Sequence, residues 1–451
     1  MKLFGTDGVR GRHGEPPLTR PVVTALARRV AEKVARAAGD GPPSVVLGGD
    51  TRESTPEICR WVAAGLAAGG ARVRYAGIIP TPGVAHLVRR LGAAAGVVVS
   101  ASHNPFPDNG IKLLGRRGGK WSDEDEAALE AGLEPLDAPL PLPGLTVEDA
   151  LDALYLDDLA ATLGVTAGTE SLPLAGLKVV LDAGNGAASG YAGPLFSRLG
   201  AEVVLLGVSP DGRNVNLGCG STAPEAMAQR VVGERADLGA AFDGDADRAV
   251  LADEEGTVRD GDAILYLWAT ALAAQGKLQP RRIVATTMSN LGLERALARH
   301  GIGLVRCAVG DRYVVEAMER EGILLGGEQS GHVVRRDLAS TGDGLLTALH
   351  MAALRAQAGR PLSVLLAELR RYPQILLNVP VAAKVAFEEL PTVDAARRRV
   401  EEALGDDGRL VLRYSGTEPL ARVMIEGPEQ GAIETMARDL AAVIGGALGR
   451  P

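Results

Sequence analysis

LGAAFDGDADRAVLA, residues 238–252, sets Asp243, Asp245 and Asp247 at i, i+2 and i+4 between two apolar runs. The run 238–242 before the aspartates and the run 249–252 after them predict strand, acidic loop, strand. Carboxylates this close repel one another, so they either take up protons or bind a cation. An all-oxygen set suits Mg²⁺ or Ca²⁺ rather than zinc or copper. A solvated Asp-Gly turn is the plainer alternative, but a turn needs only one Asp, and this cluster is embedded in apolar sequence. An EF-hand is excluded. Asp243, Asp245, Asp247 and Glu254 fall at ligand positions one, three, five and twelve, but Arg248 stands where that loop requires glycine. The flanks also read as strands rather than helices.

Outward from this loop, 45–47, 97–99, 179–181, 203–206 and 283–285 read as buried strands, and 21–38, 55–68, 262–274 and 292–300 as helices. The alternation predicts α/β domains with mostly parallel sheets. Gly- or Asp-rich loops follow several strands, at 48–50, 100–102 and 182–186, where open α/β sheets place their ligands. Their recurrence suggests duplicated α/β units. A Pro-rich stretch at 135–143 helps mark the end of the first. After residue 373 the order strand (375–380), helix (393–404), strands (409–413 and 421–426), helix (432–448) predicts a small α+β domain. The expected domains are 1–154, 155–257, 258–371 and 372–451.

A chain of 451 residues is too long for one core. A net charge of −8 argues against general nucleic-acid binding, and 3% aromatics against stacking platforms. The three cysteines are widely spaced and odd in number, which fits a reducing cytosol, so a cytoplasmic location is expected. The N-terminus lacks the apolar segment of a signal peptide, and no window approaches the roughly eighteen apolar residues of a membrane span.

Four further loops carry chemistry. GVVVSASHNPFPDNGI (96–111) offers Ser100, Ser102 and His103, though a serine hydroxyl is a weak nucleophile until a base or metal activates it. A turn that only satisfies its own backbone is the equal alternative there. GGEQSGH (326–332) offers Glu328 and Ser330 for sugar hydroxyls and His332 as an acid or base near neutral pH. RYSGTEPLAR (413–422) combines Arg413, Ser415, Gly416, Thr417 and Arg422, which suits a phosphate. GTDGVRG (5–11) means little alone.

Together these motifs, in this order from Gly5 to Arg422, resemble the α-D-phosphohexomutase superfamily. The variants GTDGVRG, DGDADR, GEQSGH and RYSGTEP resemble its amino-sugar branch. The resemblance implies three related mixed-sheet α/β domains and a smaller C-terminal α+β domain around a central cleft. It implies that Ser102, directly before His-Asn-Pro, is a phosphoserine required for activity, and that Ser100 is not. One Mg²⁺ would be held by Asp243, Asp245, Asp247 and phospho-Ser102. Arg10 and Arg248 would offset charge on the transferring group, and Lys112 would serve in proton transfer, with His332 a second candidate for that role. Glu328 and Ser330 would grip the sugar, and Arg413, Ser415, Gly416, Thr417 and Arg422 the non-reacting phosphate. The implied reaction interconverts glucosamine 6-phosphate and glucosamine 1-phosphate through the 1,6-bisphosphate, supplying amino-sugar precursors of the cell envelope. The expected partner is a small phosphosugar, with no nucleic acid and no membrane; a homodimer is compatible with the sequence. The same chemistry on mannose or glucose phosphates is the alternative. A non-catalytic sugar-phosphate-binding protein is disfavoured by the presence of Ser102, all three aspartates and Lys112.

Overall fold

The computed structural model of the chain describes residues 3–5, 7–36, 41–136, 138–166, 171–415 and 418–449. Its first sheet contains β1 (Val9–Arg12), β2 (Ser44–Gly49), β3 (Arg72–Ile78), β4 (Ala95–Val99) and β5 (Asp108–Gly115), in the order β1-β5-β4-β2-β3. β2 runs parallel to β3 and β4, whereas β5 is antiparallel to both β4 and β1. The second sheet contains β6 (Lys178–Asp182), β7 (Glu202–Leu206), β8 (Leu238–Phe242), β9 (Ala249–Asp253) and β10 (Val258–Arg259), ordered β10-β9-β8-β6-β7. Its parallel and antiparallel pairs repeat those of the first. The third, β12-β11-β13-β14, has β11 (Arg282–Thr286), β12 (Gly303–Cys307), β13 (Leu325–Gly327) and β14 (Val333–Arg335) and lacks only the outermost strand.

The sheets are therefore mixed, not mostly parallel as the alternation of apolar runs suggests. In each, a buried strand (β4, β8 or β13) runs beside a parallel neighbour, enters a polar loop and returns as an antiparallel strand. β4 and β8 are buried along their whole length, as continuous apolar strands covered on both faces should be. The three loops that follow β4, β8 and β13 carry Ser102, the three aspartates and Glu328, so the duplicated topology puts the candidate chemistry at equivalent places. The return strand β5 does not read as one, because Asp108-Asn109-Gly110 has turn composition. Asn109 is tolerated because its side-chain amide donates to Ser54 Oγ (2.9 Å) and Thr55 Oγ1 (3.1 Å).

By its contacts the chain forms two compact units, residues 1–286 with 305–367, and residues 287–304 with 368–451. The second unit is α+β: β15 (Gln374–Pro380), β16 (Arg409–Tyr414) and β17 (Leu420–Glu426) form an antiparallel sheet ordered β15-β17-β16, packed by helices Pro391–Leu404 and Gln430–Leu448. Within it the buried Glu426 accepts from Arg409 Nε (2.9 Å), Asn290 Nδ2 (3.1 Å) and Leu291 N (3.2 Å), which pins residues 287–304 to the sheet. Among the described residues no helix is long and apolar enough to cross a membrane.

One buried acid in the first unit makes stability depend on pH. Asp343 caps helix Gly344–Ala358 by accepting from Leu346 N (2.9 Å), and it also accepts from the Tyr155 hydroxyl (2.8 Å). Burial pushes its carboxyl up to about 6. An unfolded Asp titrates near roughly 4, so the folded state holds this proton more tightly. The associated stability is present in full below about pH 4 and is lost as pH rises through about 6. Asp343→Asn keeps a capping acceptor and is expected to remove about 2 kcal/mol of the fall in stability between about pH 4 and 7. Urea denaturation of both proteins across that range reads it; parallel curves would contradict the assignment.

Candidate active site

The loop after β4 and the loop after β8 meet at Ser102, whose Oγ donates to Asp243 Oδ2 at 2.7 Å. Two non-glycine residues here adopt left-handed backbone, Ser102 (φ 51°) and Ala246 (φ 54°). Such conformations cost energy and persist where the surroundings over-determine them, typically at functional sites. The loops approach closely because Gly244 has no side chain: a Cβ there would lie 2.6 Å from the Ser102 carbonyl oxygen.

Asp243, Asp245 and Asp247 are buried, each offering one oxygen within 4.8 Å of the others. Lys112, fully buried in β5, reaches Asp245 Oδ2 at 2.7 Å, Asp247 Oδ2 at 3.2 Å and Asp7 Oδ2 at 3.2 Å. Burial works against its charge, but these carboxylates outweigh it and hold the amine well above its usual range. Thr81 Oγ1 also donates to Asp245, at 2.5 Å. Lysine and threonine do not satisfy the cluster. Asp245 Oδ1 and Asp247 Oδ1 are buried without a hydrogen-bond partner. Burial, then the charges of Asp247 and Asp245, push the Asp243 carboxyl well above the usual carboxylate range. Orphaned buried acceptors beside a carboxylate that resists ionising are what a hard divalent cation would relieve, so the donor set fits one.

Cationic and titratable groups surround the serine. Arg10 Nη1 donates to the Ser100 carbonyl at 3.1 Å, and its Nη2 pairs with Asp7 at 2.6 Å. The Arg248 N–H donates to Asp243 Oδ1 at 3.1 Å, and its guanidinium lies 3.9 Å from Asp247. His103 Nδ1 is 3.3 Å from Ser102 Oγ; burial and then Arg248 push this ring toward its neutral form. His332 Nδ1 lies 3.7 Å from Asp247 Oδ2, and its Nε2 accepts from Gly342 N at 3.0 Å. Burial disfavours its charge, but Asp247 and Asp311 raise it overall. Glu328 is buried after β13, its Oε1 accepting from Gly310 N at 3.0 Å, while Ser330 in the same turn is exposed.

In the second unit Arg413 and Arg422 are cross-strand partners on β16 and β17. Burial and Arg422 push the Arg413 guanidinium down. Arg422 Nη2 donates to Glu418 at 3.1 Å and Ser415 Oγ at 3.4 Å, and Lys384 Nζ to the Ser415 carbonyl at 2.6 Å. Like charges directly opposed on a sheet are unfavourable without an anion to share. Gly416 and Thr417 lie outside the described residues. Several neighbours carry no sequence signal. Lys120 pairs with both Asp7 and Asp311, so residues from the first and third sheet regions meet beside His332. Asp7 sits in the quoted GTDGVRG stretch; Lys120, Asp311, Thr81 and Lys384 sit in no recognisable pattern.

Comparison with known proteins covers nearly the whole chain. Models of the phosphoglucomutase/phosphomannomutase family match in sequence order: α/β/α domain I at 1–138, domain II at 153–256, domain III at 260–372 and the C-terminal domain at 376–443. A phosphoglucosamine mutase of Solibacter usitatus is 49% identical over 446 residues, 98% of either chain. One of Koribacter versatilis is 45% identical, spanning 99% of this chain and 97% of its own. Among solved structures, a phosphoglucomutase/phosphomannomutase family protein of Burkholderia thailandensis superposes with a TM-score of 0.80 at 25% identity, covering 99% of this chain and 97% of its own.

Proposed function

The chain belongs to the phosphoglucosamine mutases of the phosphoglucomutase/phosphomannomutase family, and we propose that it interconverts glucosamine 6-phosphate and glucosamine 1-phosphate through a phosphoserine at Ser102. The observation that carries this reading is Ser102 Oγ, 2.7 Å from Asp243, among three buried aspartates with Lys112 and Arg248 beside them.

Phospho-Ser102 gives its phosphoryl group to the C1 hydroxyl of glucosamine 6-phosphate. The bond from phosphorus to Ser102 Oγ breaks, a bond to the sugar oxygen forms, the sugar hydroxyl proton passes to a base, and Ser102 Oγ takes up a proton as it leaves. Glucosamine 1,6-bisphosphate then turns end for end. Ser102 Oγ then loses its proton and bonds to the 6-phosphate phosphorus, the bond from that phosphorus to the C6 oxygen breaks, and the C6 oxygen takes up a proton, leaving glucosamine 1-phosphate. Such transfers need positioning and charge neutralisation more than covalent help. Asp243, Asp245 and Asp247 are the residues that would hold Mg²⁺, which when bound neutralises and polarises a phosphoryl group. Arg10 and Arg248 offset charge on the transferring group. Lys112, held protonated by its carboxylates, is placed to give a proton, and His332 is the second candidate, able to give or take one; each is tied to Asp247. His103, pushed toward its neutral form by burial and Arg248, orients the serine. Glu328 and Ser330 take sugar hydroxyls, and Arg413, Ser415 and Arg422 the non-reacting phosphate, which adds a negative charge between two opposed arginines of which Arg422 already pairs with Glu418.

Incubation with a hexose 1,6-bisphosphate, followed by intact-protein mass and peptide mapping, tests the phosphoserine. One phosphate on Ser102, removed again by excess glucosamine 6-phosphate, is expected. A phosphate on Ser100, or turnover by protein that never carries phosphate, would refute it.

A further inference from the structure

The Ser102 loop is gripped from behind by an arginine that the mechanism above leaves unused. Arg52 follows β2, and its side chain is fully buried, as is that of its ion-pair partner Asp50. Arg52 Nε donates to Asp50 Oδ2 at 2.8 Å. Nη1 donates to the carbonyls of Pro105 (2.5 Å) and Asp108 (2.8 Å), and Nη2 to those of Ser102 (2.9 Å) and Asn104 (2.8 Å). A guanidinium has five N–H donors, and all five find acceptors here. Four of those acceptors are backbone carbonyls within residues 102–108, the segment that carries Ser102 from β4 to β5. Asp50 extends the grip: it accepts the Ser100 hydroxyl at 2.6 Å and the Thr55 hydroxyl at 3.0 Å, and Ser100 Oγ accepts the Ser102 N–H at 2.9 Å.

This arrangement over-determines one backbone conformation. Ser102 sits at φ 51°, where a non-glycine residue is strained. The planar fork of arginine can span four converging carbonyls and a carboxylate together; the point charge of lysine cannot. Among the described residues no other side chain binds both the Ser102 carbonyl and the far end of the loop at Asp108.

We propose that Arg52 is a positioning residue for phosphoryl transfer: it fixes the backbone of residues 102–108 so that Ser102 Oγ stays at the aspartate cluster. The proposal rests on the reading of Ser102 as the phosphoryl carrier. The carrier gains and loses about two negative charges in every cycle, and a loop pinned through its backbone keeps the same place in both states. All five Arg52 donors are used on protein, so its loss should act on transfer rather than on sugar binding.

Arg52→Lys keeps the charge and loses the fork. In bisphosphate-primed protein its kcat is expected to fall about 100-fold, the cost of roughly 1 Å of misplacement. KM for glucosamine 1-phosphate should stay within about threefold, because ground-state binding is untouched. The rate at which Ser102 takes up phosphate, followed by intact mass, should fall with kcat, while the final phosphorylated fraction reaches that of the wild type. If instead that fraction drops and kcat per phosphorylated molecule is unchanged, Arg52 merely supports folding and the proposal is overturned. Asp50→Asn leaves the shape and weakens the Nε anchor, and a fall of about tenfold in kcat is expected. Should Arg52→Lys not fold, this variant decides: wild-type kcat overturns the proposal. Ser102→Ala is measured alongside. Turnover by Ser102→Ala refutes the phosphoserine itself, whereas an inactive Ser102→Ala with a fully active Arg52→Lys refutes only the role of Arg52.

Discussion

Ser102→Ala is expected to lower mutase turnover by roughly 10⁴-fold or more, the scale at which loss of a covalent carrier is felt. The hydroxyl is the only side-chain oxygen that donates to Asp243 among the described hydrogen bonds, and no neighbour can take its place. Ser100 lies two residues away, but its hydroxyl is committed to Asp50 and to the Ser102 N–H. The fold should survive. Serine already bears the Cβ cost of left-handed backbone here, roughly 1–2 kcal/mol, so alanine adds little to it, and the Arg52 and Asn216 donors to the Ser102 carbonyl remain. A variant that melts near the wild type, takes up no phosphate from bisphosphate and shows no turnover is the expected result. Turnover within tenfold of wild type would overturn the covalent route.

Asp243→Asn is expected to separate activity from stability. Without a cation, Asp243 resists ionising, because burial and the charges of Asp247 and Asp245 oppose it. Replacing it with a neutral isostere relieves that conflict, so in metal-free buffer the variant should unfold no more easily than the wild type. The same change removes a hard ligand and should cost roughly 10²–10⁴-fold in turnover, the several kcal/mol that a metal contributes to phosphoryl transfer. Mg²⁺ is expected to raise the melting temperature of the wild type, and that rise should be absent from the variant. A variant that keeps a normal Mg²⁺ response in both melting and turnover would remove the three aspartates from the metal site.

Local pattern carried much of the architecture. The apolar runs on either side of the three aspartates are β8 and β9, and the helix expected at 55–68 occupies Thr55–Ala68. Strand pairing was not legible, because whether a strand returns antiparallel is decided by its neighbours rather than its own residues. β5 shows this most clearly, with turn-like residues at its start and a charged lysine at its centre. β3 is hidden similarly, its Arg72 and Arg74 interrupting the apolar run that marks other strands. At the site, Ser102 and the three aspartates stand in short contiguous motifs, so the sequence could nominate them. Lys120, Asp311 and Arg52 act through contacts with residues far away in the chain, and their immediate sequence gives no reason to pick them out. Arg52 in particular reads as an ordinary surface arginine after a strand, and only the converging carbonyls of residues 102–108 explain why its side chain is buried.

The measurement to make is Mg²⁺-dependent conversion of glucosamine 1-phosphate and mannose 1-phosphate, side by side, on protein primed with a hexose 1,6-bisphosphate. Strong preference for the glucosamine sugar, lost on chelation and restored by Mg²⁺, is the predicted result. Equal or faster turnover of mannose 1-phosphate would move the protein to the phosphomannomutase and phosphoglucomutase reaction. No turnover of either sugar by protein with confirmed phosphate on Ser102 would contradict the mutase reading itself.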